Sequence, residues 1–304
     1  MYGTVLPEPA FTIEDKGLFP EGIAYDSKTK RFFLSSLSKF KIISIDKSGR
    51  QADFIQAHQD SMLRCVSLKI DEKSRSLWAV SNSDWGDSVI SAIHIYDIDK
   101  KQLIYRFFTQ KGESVVFNDI ALGQDNESFV IDYEGNSIYH IIPEMNKVEL
   151  LIKSDNFLSG ANGMCISPDN TTLFVSTSSM GIIIIDLITR KIRTIENPLA
   201  VDINGIDGLV LYKNSLIGVM CKDETSAEPM IIRYQLNLGG NQILGATILD
   251  RKNPGFATPT NGVMVGDVFY CLAATYLQLF SLNENENDEK LANPLIFKYR
   301  LKEK

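Results

Sequence analysis

A short phrase recurs along the chain: an acidic or amide residue, usually a glycine after it, then alternating apolar residues. Its fullest copy is Asn162-Gly163-Met164-Cys165-Ile166-Ser167-Pro168-Asp169, followed by the apolar run Leu173-Phe174-Val175-Ser176. Further copies open at Glu21, Asn118, Asp207 and Asn261, with a degraded one at Val66. The openings at 21, 66, 118, 162, 207 and 261 are therefore 45, 52, 44, 45 and 54 residues apart. One four-stranded propeller blade takes about 40–45 residues. Between openings the chain divides into runs of Ile, Val, Phe and Tyr, separated by turn pairs such as Asp169-Asn170 and Ser178-Ser179. The pattern predicts an all-β, six-bladed β-propeller with four antiparallel strands per blade, formed by residues 1–304 as one domain.

The sixth repeat reads as three strands, Gly262–Val265, Val268–Ala273 and Tyr276–Leu282. A ring must close its last blade, because an open edge strand pairs with other chains. An N-terminal strand over Ala10–Glu14 is expected to close it as the outermost strand. Ile296–Leu301 competes for that role or pairs beside it.

Bulk properties narrow the partners. A net charge of −7 without a basic stripe argues against nucleic acid and anionic membranes. No apolar run reaches the roughly 20 residues of a membrane span. The N-terminal stretch Met-Tyr-Gly-Thr-Val-Leu-Pro lacks the regions of a secretory leader. That fits either a cytosolic protein or an exported one already trimmed. The four cysteines show no C-x-x-C spacing and read as buried thiols.

In a propeller the first strand of every blade lines the central channel. The residue opening each phrase then appears once per blade around one channel mouth: Glu21, Val66, Asn118, Asn162, Asp207 and Asn261. Five of the six carry oxygen, and two are carboxylates. Asn and Asp before glycine are also ordinary turn formers. Turn preference leaves Glu21 unexplained, since it follows Pro20, and does not account for conserved spacing with changing identity. Oxygen-rich side chains converging in a low-dielectric throat call for a partner. All-oxygen ligands with two negative charges suit a hard dication such as Ca²⁺.

Pro20-Glu21-Gly22, Asn118-Asp119, Asn162-Gly163 and Asp207-Gly208, in this order and spacing, resemble the senescence-marker-protein/gluconolactonase family of six-bladed propellers. Wider relatives are calcium-dependent lactonases, paraoxonases, diisopropylfluorophosphatase and strictosidine-synthase-like proteins. The resemblance runs from about Phe19 to Phe280. It implies a catalytic divalent cation, usually Ca²⁺, held by Glu21, Asn162 and Asp207. Asn118 is implied as a ligand either directly or through substrate or water. It also implies that Asp207 is the reactive carboxylate, as general base or as nucleophile, in a hydrolase of small-molecule lactones or esters. The sugar-lactonase branch carries an arginine two residues before the third-phrase asparagine, where this chain has Val116. Relatives acting on phosphotriesters place histidines over the metal; His94 and His140 fall inside strand runs here, leaving His58 near the mouth. The expected substrate pocket comprises Asn118, Asn261, Trp85, Tyr133 and His58. The competing reading is a non-enzymatic binding propeller that keeps its ion for rigidity.

Overall fold

Within a strand, successive side chains point to opposite faces. In a blade wedged between two others, both faces must therefore be apolar. The run Gly181-Ile-Ile-Ile-Ile-Asp186 obeys this rule: Ile182 and Ile184 pack toward the following blade, Ile183 and Ile185 toward the preceding one. The computed structural model describes residues 7–84, 89–110, 112, 115–124, 127–221, 228–280 and 291–301.

The chain begins with β1 (Glu8–Thr12). Blade one is β2 (Ile23–Asp26), β3 (Arg31–Ser35), β4 (Ile42–Ile45) and β5 (Gln51–Ile55). Blade two is β6 (Arg64–Asp71), β7 (Ser76–Asn82), β8 (Ser91–Asp97) and β9 (Gln102–Phe108). Blade three is β10 (Phe117–Leu122), β11 (Ser128–Asp132), β12 (Ser137–Ile142) and β13 (Lys147–Lys153). Blade four is β14 (Ala161–Ile166), β15 (Thr172–Thr177), β16 (Gly181–Asp186) and β17 (Ile192–Thr194). Blade five is β18 (Ile206–Tyr212), β19 (Ser215–Met220), β20 (Met230–Leu236) and β21 (Ile243–Arg251). Blade six has β22 (Gly262–Val265), β23 (Val268–Ala274) and β24 (Leu295–Arg300), with β1 outermost. Each is a four-stranded antiparallel sheet, and together they form a six-bladed propeller.

Closure follows the N-terminal expectation, with one correction. Of the expected strand Tyr276–Leu282, residues 281–282 lie outside the described residues; over the rest a single helical turn, α1 (Leu277–Phe280), stands instead of a strand, and β24 is the third strand of blade six. The cause is local. Thr275 and Tyr276 both donate their N–H to Ala257 O, Tyr276 turns through φ 60°, and the chain leaves the sheet. It packs Phe280 against Phe19 instead, with ring centroids 5.4 Å apart. β1 pairs with β24 from Glu8↔Lys298 to Thr12↔Leu295. Asn293 Nδ2 donates to Ile13 O at 2.6 Å just beyond that pairing.

The core is a ring rather than a ball. Six apolar clusters each lie chiefly between two adjacent blades. None of the four cysteines is in a disulfide: Cys65 and Cys271 are buried, Cys165 and Cys221 half-buried. Among the described residues no helix is long and apolar enough to cross a membrane.

Candidate functional site at one end of the channel

In blades two to five the pairing of first and second strands slips at the recurring phrase. The slips fall between Cys65 and Ser67, Phe117 and Ile120, Ala161 and Met164, and Ile206 and Gly208. A β-bulge bends its strand and re-aims a side chain. Glu21 and Asn261 lie just ahead of β2 and β22, whereas Val66, Asn118, Asn162 and Asp207 lie inside β6, β10, β14 and β18. Amides released near the slips find side-chain acceptors. Gly163 N–H donates to Ser176 Oγ at 2.8 Å, and Met164 N–H to Asp119 Oδ2 at 2.9 Å. In blade one, Gly22 N–H donates to Ser35 Oγ at 2.7 Å. Asn204-Gly205, a near-copy of the phrase, precedes β18, and the bulge falls on Asp207.

The phrase glycines allow neighbouring inner strands to touch. A Cβ on Gly22 would lie 2.9 Å from Val66 O, one on Gly163 2.4 Å from Asp207 O, and one on Gly208 2.8 Å from Asn261 Cα. Thr260 Oγ1 donates to Glu21 O at 3.3 Å, joining blade six to blade one. Asn118 Nδ2 donates to Asn162 Oδ1 at 2.8 Å, joining blades three and four. Ser67 Oγ donates to Asp119 Oδ1 at 2.7 Å, joining two and three. At every blade boundary, then, the phrases themselves are in contact. Residues spread from 21 to 261 form one ring at one channel end.

The electrostatics of that ring are one-sided. The Glu21 carboxyl is held well above its ordinary pKa, first by burial and then by the charges of Asp207 and Asp119. Among the described residues no three His, Cys, Asp or Glu side chains cluster to hold a metal by themselves. The ring instead mixes two carboxylates, Glu21 and Asp207, with the amides of Asn118 and Asn162. Crowded carboxylates beside amide carbonyls fit an oxygen-seeking dication. Asn261 Oδ1 accepts Gly262 N–H and Asn162 Oδ1 accepts Asn118 Nδ2–H, each at 2.8 Å, which leaves one lone pair free on either oxygen.

The mouth is asymmetric. Val66, the ring position without oxygen, belongs to an apolar cluster with Phe19, Leu37, Phe117 and Phe280. The Arg64 guanidinium lies between the Phe40 and Phe280 rings, 5.0 Å from each centroid, and its Nε donates to Asp84 Oδ1 at 2.7 Å. His58 is exposed and stacks on Phe40 at 4.4 Å, on the outer side of this assembly. Tyr133 is exposed and its N–H donates to Val116 O at 2.8 Å, which places it on the rim of blade three. Val116 is buried, with its N–H bonded to Asp132 Oδ1. Trp85 lies outside the described residues. His94 is wholly buried in β8 with Nε2 3.1 Å from Asp60 O, and His140 lies in β12 with Nε2 3.0 Å from Glu127 Oε2. Beyond the ring the channel opens into a cavity of about 250 Å³. One residue from each blade shows its character: Ala24, Lys69, Ala121, Met164, Leu209 and Val263.

Two features escaped the sequence reading. Asp119 is buried beside the ring, and α1 reaches from blade six to the Val66 side. A signal for the first existed: Asp119 and Ser67 stand where other copies carry glycine.

A six-bladed propeller whose first strands gather carboxylates and amides at one channel mouth defines the class. The chain belongs to the SMP-30/gluconolactonase/LRE-like family, whose sequence profile matches residues 19–210. That match spans Glu21, Asn118, Asn162 and Asp207 and ends before Asn261. The fold is similar to a gluconolactonase from Xanthomonas campestris, at 16% identity and a TM-score of 0.62, covering 95% of this chain and 88% of that one. It is similar to the calcium-binding protein regucalcin from Agrobacterium tumefaciens, at 16% identity and a TM-score of 0.61, covering 96% and 93%. It is also similar to the PQQ-bound aldose sugar dehydrogenase from Streptomyces coelicolor, at 13% identity and a TM-score of 0.63, covering 96% of each. Likeness at such identities establishes architecture, and the last neighbour shows that this architecture also carries redox chemistry. No curated protein sequence matches the chain.

Proposed function

We propose that the protein is a divalent-cation-dependent hydrolase of a small-molecule lactone or ester, with Ca²⁺ as its natural ion. Glu21, Asn162 and Asp207 would hold the cation, and Asn118 would complete the set directly or through substrate or water. The observation that carries this reading is the crowding of Glu21 by Asp207 at a mouth otherwise supplied with amide oxygens. Family membership supports lactonase-type hydrolysis.

The bound ion would supply Lewis-acid polarisation of the scissile carbonyl. Asp207 is the residue assigned the reacting role. Its bulge sets it in the ring beside Asn162-Gly163, where its carboxylate can take a proton from water or attack the carbonyl carbon. Asn118, bonded to Asn162, is assigned to orient the substrate. Phe19, Val66 and Phe280 close one sector to water, while Tyr133 and Met180 remain exposed on other blades. Val116 offers no charged group for a polyol, so the favoured substrate is less hydroxylated than a sugar lactone.

Turnover of lactones, aryl esters and phosphotriesters with and without EDTA tests the proposal. Asp207→Asn is expected to abolish turnover while far-ultraviolet circular dichroism and Tm stay those of a folded protein. Single turnover in H₂¹⁸O tests the nucleophilic role of Asp207: label in its carboxylate requires a mixed anhydride opened by water at the Asp207 carbon, whereas general-base catalysis puts the label in the product acid alone. If no ester is cleaved and Asp207→Asn changes stability alone, the protein is a binding propeller with a structural ion.

A further inference from the structure

The second position of the phrase is glycine in blades one, four, five and six: Gly22, Gly163, Gly208 and Gly262. Blades two and three have Ser67 and Asp119 there, and the two departures are partners, with Ser67 Oγ donating to Asp119 Oδ1 at 2.7 Å. Lys69 Nζ, two residues along the same strand, reaches that oxygen at 3.1 Å. Ile120 N–H donates to it at 2.9 Å, and Met164 N–H donates to Asp119 Oδ2 at 2.9 Å across the blade boundary. A buried carboxylate is costly unless donors surround it. Asp119 is supplied from three blades.

Its chain neighbours are the site. Asn118 precedes it, and Asn162 lies two residues before Met164. Two bonds therefore cross from blade three to blade four side by side. One joins Asp119 to the Met164 amide; the other joins Asn118 Nδ2 to Asn162 Oδ1 at 2.8 Å. An asparagine amide rotates freely unless a partner fixes it, and the second bond needs the strand spacing that the first sets.

We propose that Asp119, held by Ser67 and Lys69, is a positioning residue that fixes the Asn118 and Asn162 amides so that they present oxygen to the bound cation. The proposal rests on the cation reading above and is tested apart from it. The side-chain amide ¹H–¹⁵N resonances of Asn118 and Asn162, identified with the two Asn→Ala variants, are recorded in cation-free protein. In Asp119→Asn they are expected to shift and broaden, and calorimetric Ca²⁺ affinity to fall about 10- to 100-fold. Should that variant fail to fold, Ser67→Ala retains the carboxylate; its expected loss is about fivefold, with smaller amide shifts in the same direction. A purely structural Asp119 lowers Tm and leaves the amide resonances in place, and that outcome overturns the proposal. Wild-type protein that binds no Ca²⁺ overturns the cation reading, while the cation-free resonances still decide the role of Asp119.

Discussion

Glu21 is a carboxyl set where its own charge is unwelcome. Burial, then Asp207 and Asp119, keeps it protonated above its ordinary pKa of 4.5. Below 4.5 the folded and unfolded chains both carry the proton. As pH rises from there the unfolded chain releases it first, so the contribution of this group to stability falls until the folded carboxyl ionises. A dication between Glu21 and Asp207 would cancel the penalty. Glu21→Gln removes the charge and keeps the shape. It is expected to raise the Tm of chelated protein at neutral pH and to weaken Ca²⁺ binding at least tenfold, by scanning fluorimetry and calorimetry respectively. A chelated Glu21→Gln protein melting at or below wild type would show that repulsion at this mouth is negligible.

The bulged inner strand does the positioning, and its glycine is the vulnerable part. Gly163→Ala would press a methyl against Asp207 O and Leu209 N of the next blade. The expected cost is about 1–3 kcal/mol in urea unfolding, together with weaker Ca²⁺ binding, because blades four and five must separate. A second link between blades is ionic. Arg75, in the turn after β6, clamps Asp26 at the end of β2 and reaches Asp99 at 3.0 Å. Burial alone would raise the Asp26 pKa, but bonds from Arg75 and Thr29 outweigh it and hold it below 3.8. The stability this provides is present above pH 3.8 and lost as pH falls through the lowered value. Asp26→Asn is therefore expected to destabilise the protein at pH 7, with the difference from wild type shrinking toward pH 2. The sequence disclosed such elements unevenly. Strand runs and blade period were legible because alternation and turn residues are local. The ring was legible because radial repetition copies one position six times. The bulges were not, since slippage between two strands leaves no mark in either alone. The apolar pattern of Tyr276–Leu282 suits a strand, and it takes the bonds to Ala257 O and the contact with Phe19, both distant in sequence, to turn Leu277–Phe280 into a helical turn. Asp119 was passed over because a carboxylate after asparagine reads as a variant turn until Ser67, 52 residues earlier, is found bonded to it.

At the scale of the whole ring, coupling runs both ways around the circle. An ion held by Glu21, Asn162 and Asp207 would touch three blades, and each blade contributes to two of the six interblade clusters. Chelation is thus expected to lower the global Tm in one cooperative transition, and Ca²⁺ at about 100 times its Kd to restore roughly 2.7 kcal/mol. Differential scanning calorimetry checks this; separate transitions after chelation would mean that blades unfold independently. Hydrolase, sugar dehydrogenase and calcium-binding neighbours share this architecture, so the ring specifies a platform and the mouth specifies the chemistry. The pairing of β1 with β24 also dictates the order of events during biosynthesis. The outer strand of blade six, β1, leaves the ribosome before blades one to five and its neighbour β24 after them, so those blades can form on the nascent chain while the circle stays open. Until β24 is made, Ile13 and Leu272, which the finished ring shields, lack the cover of Ile296 and stand as the unsealed wall of the circle.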